Sequence, residues 1–164
     1  MIEKNELLKS ILHECEVCKH LFTKIPQGGL DYKPSPEQRS TLELLRHLSH
    51  SALSSTQAIL KNDWSDWKRH VEKSKTLSSE DFLSTMDSQM EGIRKEFESI
   101  DEKAVMVEEA VLPWGKKFTK ATALMNVPLK WMVGYRMQLF LYTKAAGAHE
   151  IGTFNCWHGE DRKK

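Results

Sequence analysis

The segment HECEVCKH, residues 13–20, gathers four potential metal ligands into eight residues. Imidazole nitrogen and cysteine sulfur are preferred ligands of zinc, which structural sites bind in a tetrahedral arrangement. The segment could hold zinc only if its backbone allowed His13, Cys15, Cys18 and His20 to converge on one point.

The apolar residues around this segment follow a helical period, which argues against such convergence. They recur at i, i+3, i+4 and i+7 and include both cysteines: Leu7, Leu8, Ile11, Leu12, Cys15, Cys18, Leu21, Phe22 and Ile25. At roughly 100° per residue, the two histidines fall with Glu16 on the opposite, polar side. Ligands on opposite sides of one rigid helix cannot bind a single zinc ion. We therefore predict two buried cysteines and two solvated histidines.

Three more long helices are predicted, and these must position any site. The second runs from about Thr41 to Ile59, with Ser40 or Thr41 as its N-cap. The third follows an acidic opening at 78–81, which suits a helix N-terminus. Its apolar residues are spaced by three or four: Phe82, Met86, Met90, Ile93, Phe97 and Ile100.

The last long helix is predicted over about 119–146, with Gly147 as its C-terminal stop. Pro128 interrupts it, so the helix either restarts behind Asn126 as an N-cap or is kinked at the proline. Both alternatives remain open.

The connections between these helices show no helical period. Residues 61–77 are predicted to be a polar connection anchored by Trp64 and Trp67, and residues 101–118 a long, partly extended one. The tail, about 148–164, is predicted to be irregular, with Phe154 and Trp157 against the helices. These features predict a single all-α domain, residues 1–164, folded as a four-helix bundle.

The composition limits the classes of partner. Hydrophobic residues make up 40% and charged residues 29% of 164, with a net charge of +1. We therefore expect no nucleic-acid partner and no membrane association. The mixed-charge start predicts no secretory signal, and three cysteines fit a reducing, cytoplasmic setting. Motifs of the di-iron, nucleophile-elbow and phosphate-loop classes are absent from the sequence.

Two segments resemble the DinB (YfiT-like) superfamily of four-helix-bundle proteins. TLELLRHLSH, 41–50, preceded by the loop DYKPSPEQRS, resembles the signature of its second helix. PWGKKFTK followed by WMVGYRMQLFLYTKAAG, within 113–147, resembles its last helix, in which an Arg-x-Gln-Leu stretch precedes a tyrosine and a terminal glycine. The resemblance covers roughly residues 5 to 147.

The resemblance implies a metal site of three histidines, one on the second helix and two, at i and i+4, on the last. His47 matches the first, because it lies at the edge of the apolar stripe whereas His50 is expected to point further toward solvent. The other two positions are occupied by Trp131 and Tyr135. Tryptophan offers a metal no lone pair, so we predict a degenerate metal site and no resident cofactor.

Aromatic side chains stand where the resemblance implies metal ligands. Trp131, Tyr135 and Tyr142 fall on one side of the last helix, with Gln138 nearby. If that side faces His47, these residues either line a pocket for a small molecule or simply pack in the core. If the Tyr135 hydroxyl is buried it needs a hydrogen-bond partner, and the imidazole of His47 is one candidate.

A zinc or nickel site rebuilt from substitute ligands stays open as an alternative. His47 would be joined by residues of its own helix and of the tail: His50, His149, Cys156 and His158. This arrangement requires the tail to fold back over the mouth of the bundle.

These features predict a metal-deficient DinB-like protein that binds a small molecule or serves a structural, partner-binding role. The resemblance also implies a homodimer. Whether the protein is an enzyme stays open; the alternative is a metal-dependent thiol S-transferase that uses His47 with non-standard ligands.

Overall fold

The computed structural model describes residues 3–163, and four long helices dominate this part of the chain. They are α1 (Lys4–Phe22), α2 (Thr41–Lys61), α4 (Phe82–Ser99) and α7 (Lys130–Ala145). The connections and the tail contain α3 (Trp67–Ser74), α5 (Glu102–Val107), α6 (Lys120–Leu124), α8 (Thr153–His158) and the strands β1 (Glu109–Val111) and β2 (Lys117–Thr119). The predicted domain extends to residues 1, 2 and 164, which lie outside the described residues.

The long helices form a four-sided bundle. Helix α2 packs against α4 and α7, and α1 packs against the same two helices from the other side. Their apolar faces merge into one hydrophobic core that includes Leu7 at one end of the sequence and Ile151 at the other. The predicted all-α four-helix bundle is therefore confirmed.

The N-terminus of α2 is capped as its sequence predicts. The Ser40 hydroxyl accepts a hydrogen bond from the Glu43 amide at 3.1 Å, and the Glu43 carboxylate accepts one from the Ser40 amide at 2.6 Å. This reciprocal capping box satisfies two of the amides that a helix start leaves unpaired. It also sets the direction in which α2 leaves the preceding loop.

The apolar spacing of the third predicted helix matches its burial in α4. Phe82, Met86, Met90, Ile93 and Phe97 are all buried, and Ile100, just beyond the helix end, is half-buried. The first predicted helix is shorter than expected, because α1 ends at Phe22 rather than at Ile25.

The proline of the last helix neither restarts nor breaks it. Helix α6 continues through one π turn, Met125–Leu129, directly into α7. The wider turn accommodates Pro128, which has no amide hydrogen to donate. Asn126 is not an N-cap; its side-chain oxygen accepts a hydrogen bond from the Lys130 ammonium instead.

Two predicted connections contain regular structure. Residues 61–77 include α3, which packs on α2, and residues 101–118 include α5 and a short antiparallel hairpin in which Ala110 pairs with Phe118. Helices α3 and α5 and the two strands are too short for their apolar residues to show a clear period.

The tail is more ordered than predicted. Helix α8 packs on α1 and α7, with Ile151, Asn155 and Cys156 buried. The sequence predicts that Phe154 and Trp157 pack against the helices, but they are 44% and 49% exposed.

Within residues 3–163, no helix is both long enough and apolar enough to cross a bilayer.

Candidate functional site

Helix α2 carries two histidines, three residues apart, on the side that faces α3 and α7. His50 is 7% exposed, whereas His47 is half-buried. The expectation that His50 points toward solvent is therefore wrong. Helix α3 covers it: the Trp67 ring meets the His50 ring edge-on with their centroids 5.4 Å apart.

The predicted aromatic positions on α7 meet these histidines. The Tyr135 ring lies edge-on to the His47 ring at 4.5 Å between centroids, and Trp131 contacts Trp67 at 5.6 Å. The rings of His47 and His50 are themselves 5.4 Å apart. Five rings from three helices thus form one continuous cluster.

Gln138 and Tyr142 belong to a different part of α7. The Gln138 amide donates a hydrogen bond to the Tyr142 hydroxyl at 2.7 Å, and the Tyr142 ring packs edge-on against Tyr32 at 5.4 Å. Tyr142 lies seven residues beyond Tyr135, which is about 10 Å along a helix. The two residues therefore make their contacts about two turns away from those of His47.

The polar atoms of the two histidines have different partners. His47 Nε2 is buried without a hydrogen-bond partner among residues 3–163, so the candidate bond to the Tyr135 hydroxyl is not formed. His50 Nδ1 lies 3.2 Å from the Ser54 hydroxyl, which itself donates to the His50 carbonyl oxygen at 2.8 Å.

Both imidazoles are neutral near pH 7. Burial, with a smaller contribution from the nearby Arg39 guanidinium, lowers the pKa of His47 to about 4. Burial also lowers the pKa of His50 to about 4, with smaller contributions from His47 and His70. A neutral imidazole keeps one nitrogen lone pair free to accept a proton, a hydrogen bond or a metal.

A cavity of about 300 Å³ opens beside these two rings, between α2 and the C-terminal end of α3. Its lining is rich in cations: Arg39, Glu43, Arg46, His47, His50, Val71, Ser74 and Lys75. Three of these residues carry a positive charge, and Glu43 is the one acid among them. The Glu43 carboxylate is engaged by the Ser40 amide and by the Lys33 ammonium at 3.5 Å, and Lys75 pairs with Glu72 at 2.6 Å. Arg39 and Arg46 pair with no carboxylate among residues 3–163, so the cavity favours an anion.

A second cavity, of about 290 Å³, lies between α2, α3 and α4. Hydroxyl and amide side chains contribute much of its lining: Ser49, His50, Leu53, His70, Lys73, Ser74, Leu77, Ser84, Thr85, Ser88 and Gln89. His50 and Ser74 border both cavities. Trp131 and Tyr135 line neither of them.

The donor set around His47 does not fit the metal centre that the DinB resemblance implies. Trp131 and Tyr135 stand where the resemblance implies two histidines, and the Tyr135 ring meets the His47 ring edge-on at 4.5 Å between centroids. No three His, Cys, Asp or Glu side chains within residues 3–163 are grouped so that they could hold a metal ion.

The substitute ligands of the tail lie on another side of α7. Cys156 packs beside Arg136, which points toward α1 and α8, while Tyr135 points toward α2. His149 and His158 are exposed, and the His158 ring contacts Phe154. The tail therefore does not fold over His47.

The first segment considered, residues 13–20, is helical. Cys15 and Cys18 are fully buried, as predicted, and burial raises the pKa of the Cys15 thiol to about 12. His13 is exposed, but the prediction of a solvated His20 is wrong. Its Nε2 accepts a hydrogen bond from the Asn155 amide of α8 at 3.0 Å, because the tail covers this face.

Sequence reasoning missed the residues that make the cavity cationic. Arg39 precedes α2, Arg46 belongs to α2 and Lys75 follows α3, so their approach depends on how α3 docks on α2. One signal was available: Arg46, His47 and His50 share a helix face at i, i+1 and i+4.

A similar fold occurs in a solved structure, that of a DinB-like protein (YjoA) from Bacillus subtilis. The match covers 91% of this chain and 97% of that one, with a TM-score of 0.71 and 21% sequence identity. At this identity the likeness concerns the fold, so the chain has a DinB-like fold, as its sequence predicts. No family model matches the sequence, and no curated protein matches it.

Proposed function

We propose that this DinB-like bundle binds a small anionic molecule in the cavity beside His47 and His50, without the three-histidine metal centre of the superfamily. The observation that carries the proposal is the lining of that cavity, in which Arg39, Arg46 and Lys75 surround a space of about 300 Å³. This volume is at the lower end of the range for small-molecule sites.

The guanidinium groups are held in place by contacts that leave donors free. Arg46 Nε donates to the Leu77 carbonyl oxygen at 3.0 Å, and the Arg39 guanidinium lies 5.4 Å from the centre of the Tyr135 ring. Arginine has five N–H donors, so each side chain keeps several for a carboxylate or phosphate. The neutral histidines add polarity without adding charge.

The absence of fitting ligands at positions 131 and 135 supports a metal-free role. The alternative is a metal-dependent thiol S-transferase, which requires ligands that the neighbours of His47 do not supply. Thiol-conjugation assays over a panel of electrophiles, with zinc or nickel added, test that alternative directly. In the purified protein we expect no stoichiometric zinc, nickel or iron; a metal that is lost in His47→Ala would contradict this proposal.

Anion binding is tested by titration calorimetry with inorganic phosphate and with succinate at constant ionic strength. We expect both to bind the wild-type protein, and Arg39→Gln and Lys75→Gln each to weaken binding by about tenfold, since each removes a charge-assisted hydrogen bond.

Lys9→Gln is the matched control. Lys9 is an exposed lysine paired with Glu6 three residues earlier at 2.8 Å, as Lys75 is paired with Glu72 at 2.6 Å. Its substitution should leave binding unchanged. Failure of both anions to bind, or an equal loss in Lys9→Gln, would rule out the cavity as an anion site.

The DinB resemblance also supports a homodimer, which light scattering of the purified protein tests by distinguishing the mass of one chain from that of two. A cytoplasmic location likewise stays a prediction, and fractionation of the producing cells tests it.

A further inference from the structure

We propose that His50 is the subsite that selects the ligand: its Nε2 accepts a hydrogen bond from a hydroxyl or amine next to the anionic group. This inference rests on the proposed anion site and narrows its ligand to a hydroxy acid, an amino acid or a similar anion with a donor close to the charge.

The hydrogen bonds of Ser54 determine which nitrogen of His50 is free. Ser54 has one hydroxyl hydrogen, and the His50 carbonyl oxygen, 2.8 Å away, accepts it. This contact is shorter than the 3.2 Å between the Ser54 oxygen and His50 Nδ1, so we assign the hydroxyl hydrogen to the carbonyl and the proton shared in the second contact to Nδ1. Nδ1 therefore carries the proton of the neutral ring, and Nε2 carries the lone pair.

No group among residues 3–163 donates to His50 Nε2, although the residue is only 7% exposed. The one hydrogen bond of its ring uses Nδ1. Nε2 is also absent from the fully enclosed unpaired atoms, which include His47 Nε2 and His70 Nε2. An incoming molecule can therefore reach Nε2 of His50, whereas Nε2 of His47 is sealed.

The position of His50 makes this acceptor useful. Its ring borders both the cationic cavity and the hydroxyl-lined cavity. An anion held by Arg39 and Arg46 would place its neighbouring atoms at the junction, where His50 and Ser74 lie. The rest of the molecule could then extend toward Ser49 and Thr85. A ligand that covers this acceptor removes it from water, so binding favours ligands that supply a donor and disfavours those that do not.

The test compares two probes that differ by one hydroxyl group, malate (both enantiomers) and succinate. We expect wild-type protein to bind one enantiomer of malate about tenfold more tightly than succinate. His50→Leu should lose this preference while still binding succinate. Separately, ¹⁵N-resolved spectra of the imidazole should show the proton of His50 on Nδ1.

Two serine variants keep the test decisive if His50→Leu does not fold. Ser54→Ala removes the group that orders the His50 tautomer, so the preference for malate should fall severalfold. Ser55→Ala is the matched control, because Ser55 is also buried and donates to the carbonyl oxygen four residues earlier, yet it does not contact His50. It should keep the full preference.

The outcomes separate the two proposals. Equal binding of malate and succinate to the wild-type protein, or a proton on Nε2 of His50, would overturn this inference and leave the anion site standing. Binding of neither probe would overturn this inference, and failure of inorganic phosphate to bind as well would overturn both.

Discussion

His47 and His50 are the same residue type on one helix, yet their surroundings give them different chemistry. The nitrogen that His47 leaves unpaired is enclosed by the Tyr135 ring and its neighbours, whereas His50 has an ordered Nδ1 and an accessible Nε2. The resemblance to known bundles points to His47, but the geometry makes His50 the better placed to meet a ligand.

The two buried imidazoles should make the folded state sensitive to acid. In the unfolded chain a histidine has its ordinary pKa of 6.5, whereas burial lowers the folded pKa of both rings to about 4. As pH falls below 6.5 the unfolded chain binds protons first, so stability is complete above that pH and is lost progressively down to about 4. We expect a loss of up to about 1 kcal/mol per pH unit for each histidine, below the one-proton limit because both rings keep some solvent contact.

Urea unfolding between about pH 7 and pH 5 measures this effect. His50→Gln should reduce the slope of stability against pH, while His149→Gln, at an exposed position, should retain the wild-type slope. If His50→Gln keeps the wild-type slope, the pKa of His50 does not differ between the folded and unfolded states.

Sequence reasoning at this scale succeeded where the information was local. The apolar stripe that contains Cys15 and Cys18 placed both thiols in the core, and the contact between His47 and Tyr135 followed from helix spacing and the family resemblance. The burial of His50 could not be predicted in the same way, because it depends on Trp67 of a helix whose own sequence gave no signal.

The capping box at the start of α2 belongs both to the helix and to the lining of the candidate site. Ser40 and Glu43 form the capping box of α2, and Glu43 also borders the cationic cavity. Ser40→Ala should destabilise the protein by about 1 kcal/mol, because it removes the hydroxyl that accepts from the Glu43 amide.

Chemical denaturation compares this variant with Ser99→Ala. The Ser99 hydroxyl is exposed and donates only to the Glu96 carbonyl oxygen at the end of α4, so its loss should change stability by less than about 0.5 kcal/mol. Equal effects of the two substitutions would show that the capping box does not stabilise α2.

Helix α8 is held by a side chain rather than by an apolar stripe. Arg136 of α7 is 1% exposed, pairs with the largely buried Glu14 of α1 and donates to the Cys156 carbonyl oxygen of α8. The Trp157 ring covers the guanidinium at 4.3 Å. A contact of this kind joins three elements far apart in the sequence, which is why the order of the tail could not be predicted from its composition.

Loss of this guanidinium should release α8 and weaken the whole fold. We expect Arg136→Met to reduce the free energy of unfolding by about 3–5 kcal/mol, because it leaves the Glu14 carboxylate buried without its partner. Hydrogen exchange should accelerate most at the amides of residues 153–158. Arg69→Met is the control, since Arg69 pairs with Asp66 at an exposed position and should cost less than about 0.5 kcal/mol; slow exchange in α8 of Arg136→Met would contradict the proposed anchor.

Across the whole molecule, the elements that form the core could be predicted from the sequence, and those that pack outside it could not. The long helices bury continuous apolar stripes, and such stripes are visible in sequence, so the bundle and its DinB-like fold were predictable. Helices α3, α5 and α8 are short and bury few side chains, and their positions depend on the surfaces that the bundle presents. The candidate site lies at such a surface, between α2 of the bundle and α3 outside it.

This arrangement predicts that stability is unevenly distributed. No residue of α3 is buried, whereas most of α2 is buried in the core. Helix α3 should therefore open without unfolding the bundle, and its amides should exchange hydrogen at a much lower opening free energy than those of α2. The opening would uncover His50 and widen both cavities.

Native-state hydrogen exchange with and without inorganic phosphate measures this prediction. Because Ser74 and Lys75 border the cationic cavity, bound phosphate should slow exchange at residues 67–75 more than at the α4 amides of residues 90–97, which lie away from it. At the same phosphate concentration Lys75→Gln should reduce this difference, and Lys9→Gln should preserve it. Exchange in α3 as slow as in α2 would show that α3 is part of the cooperative core.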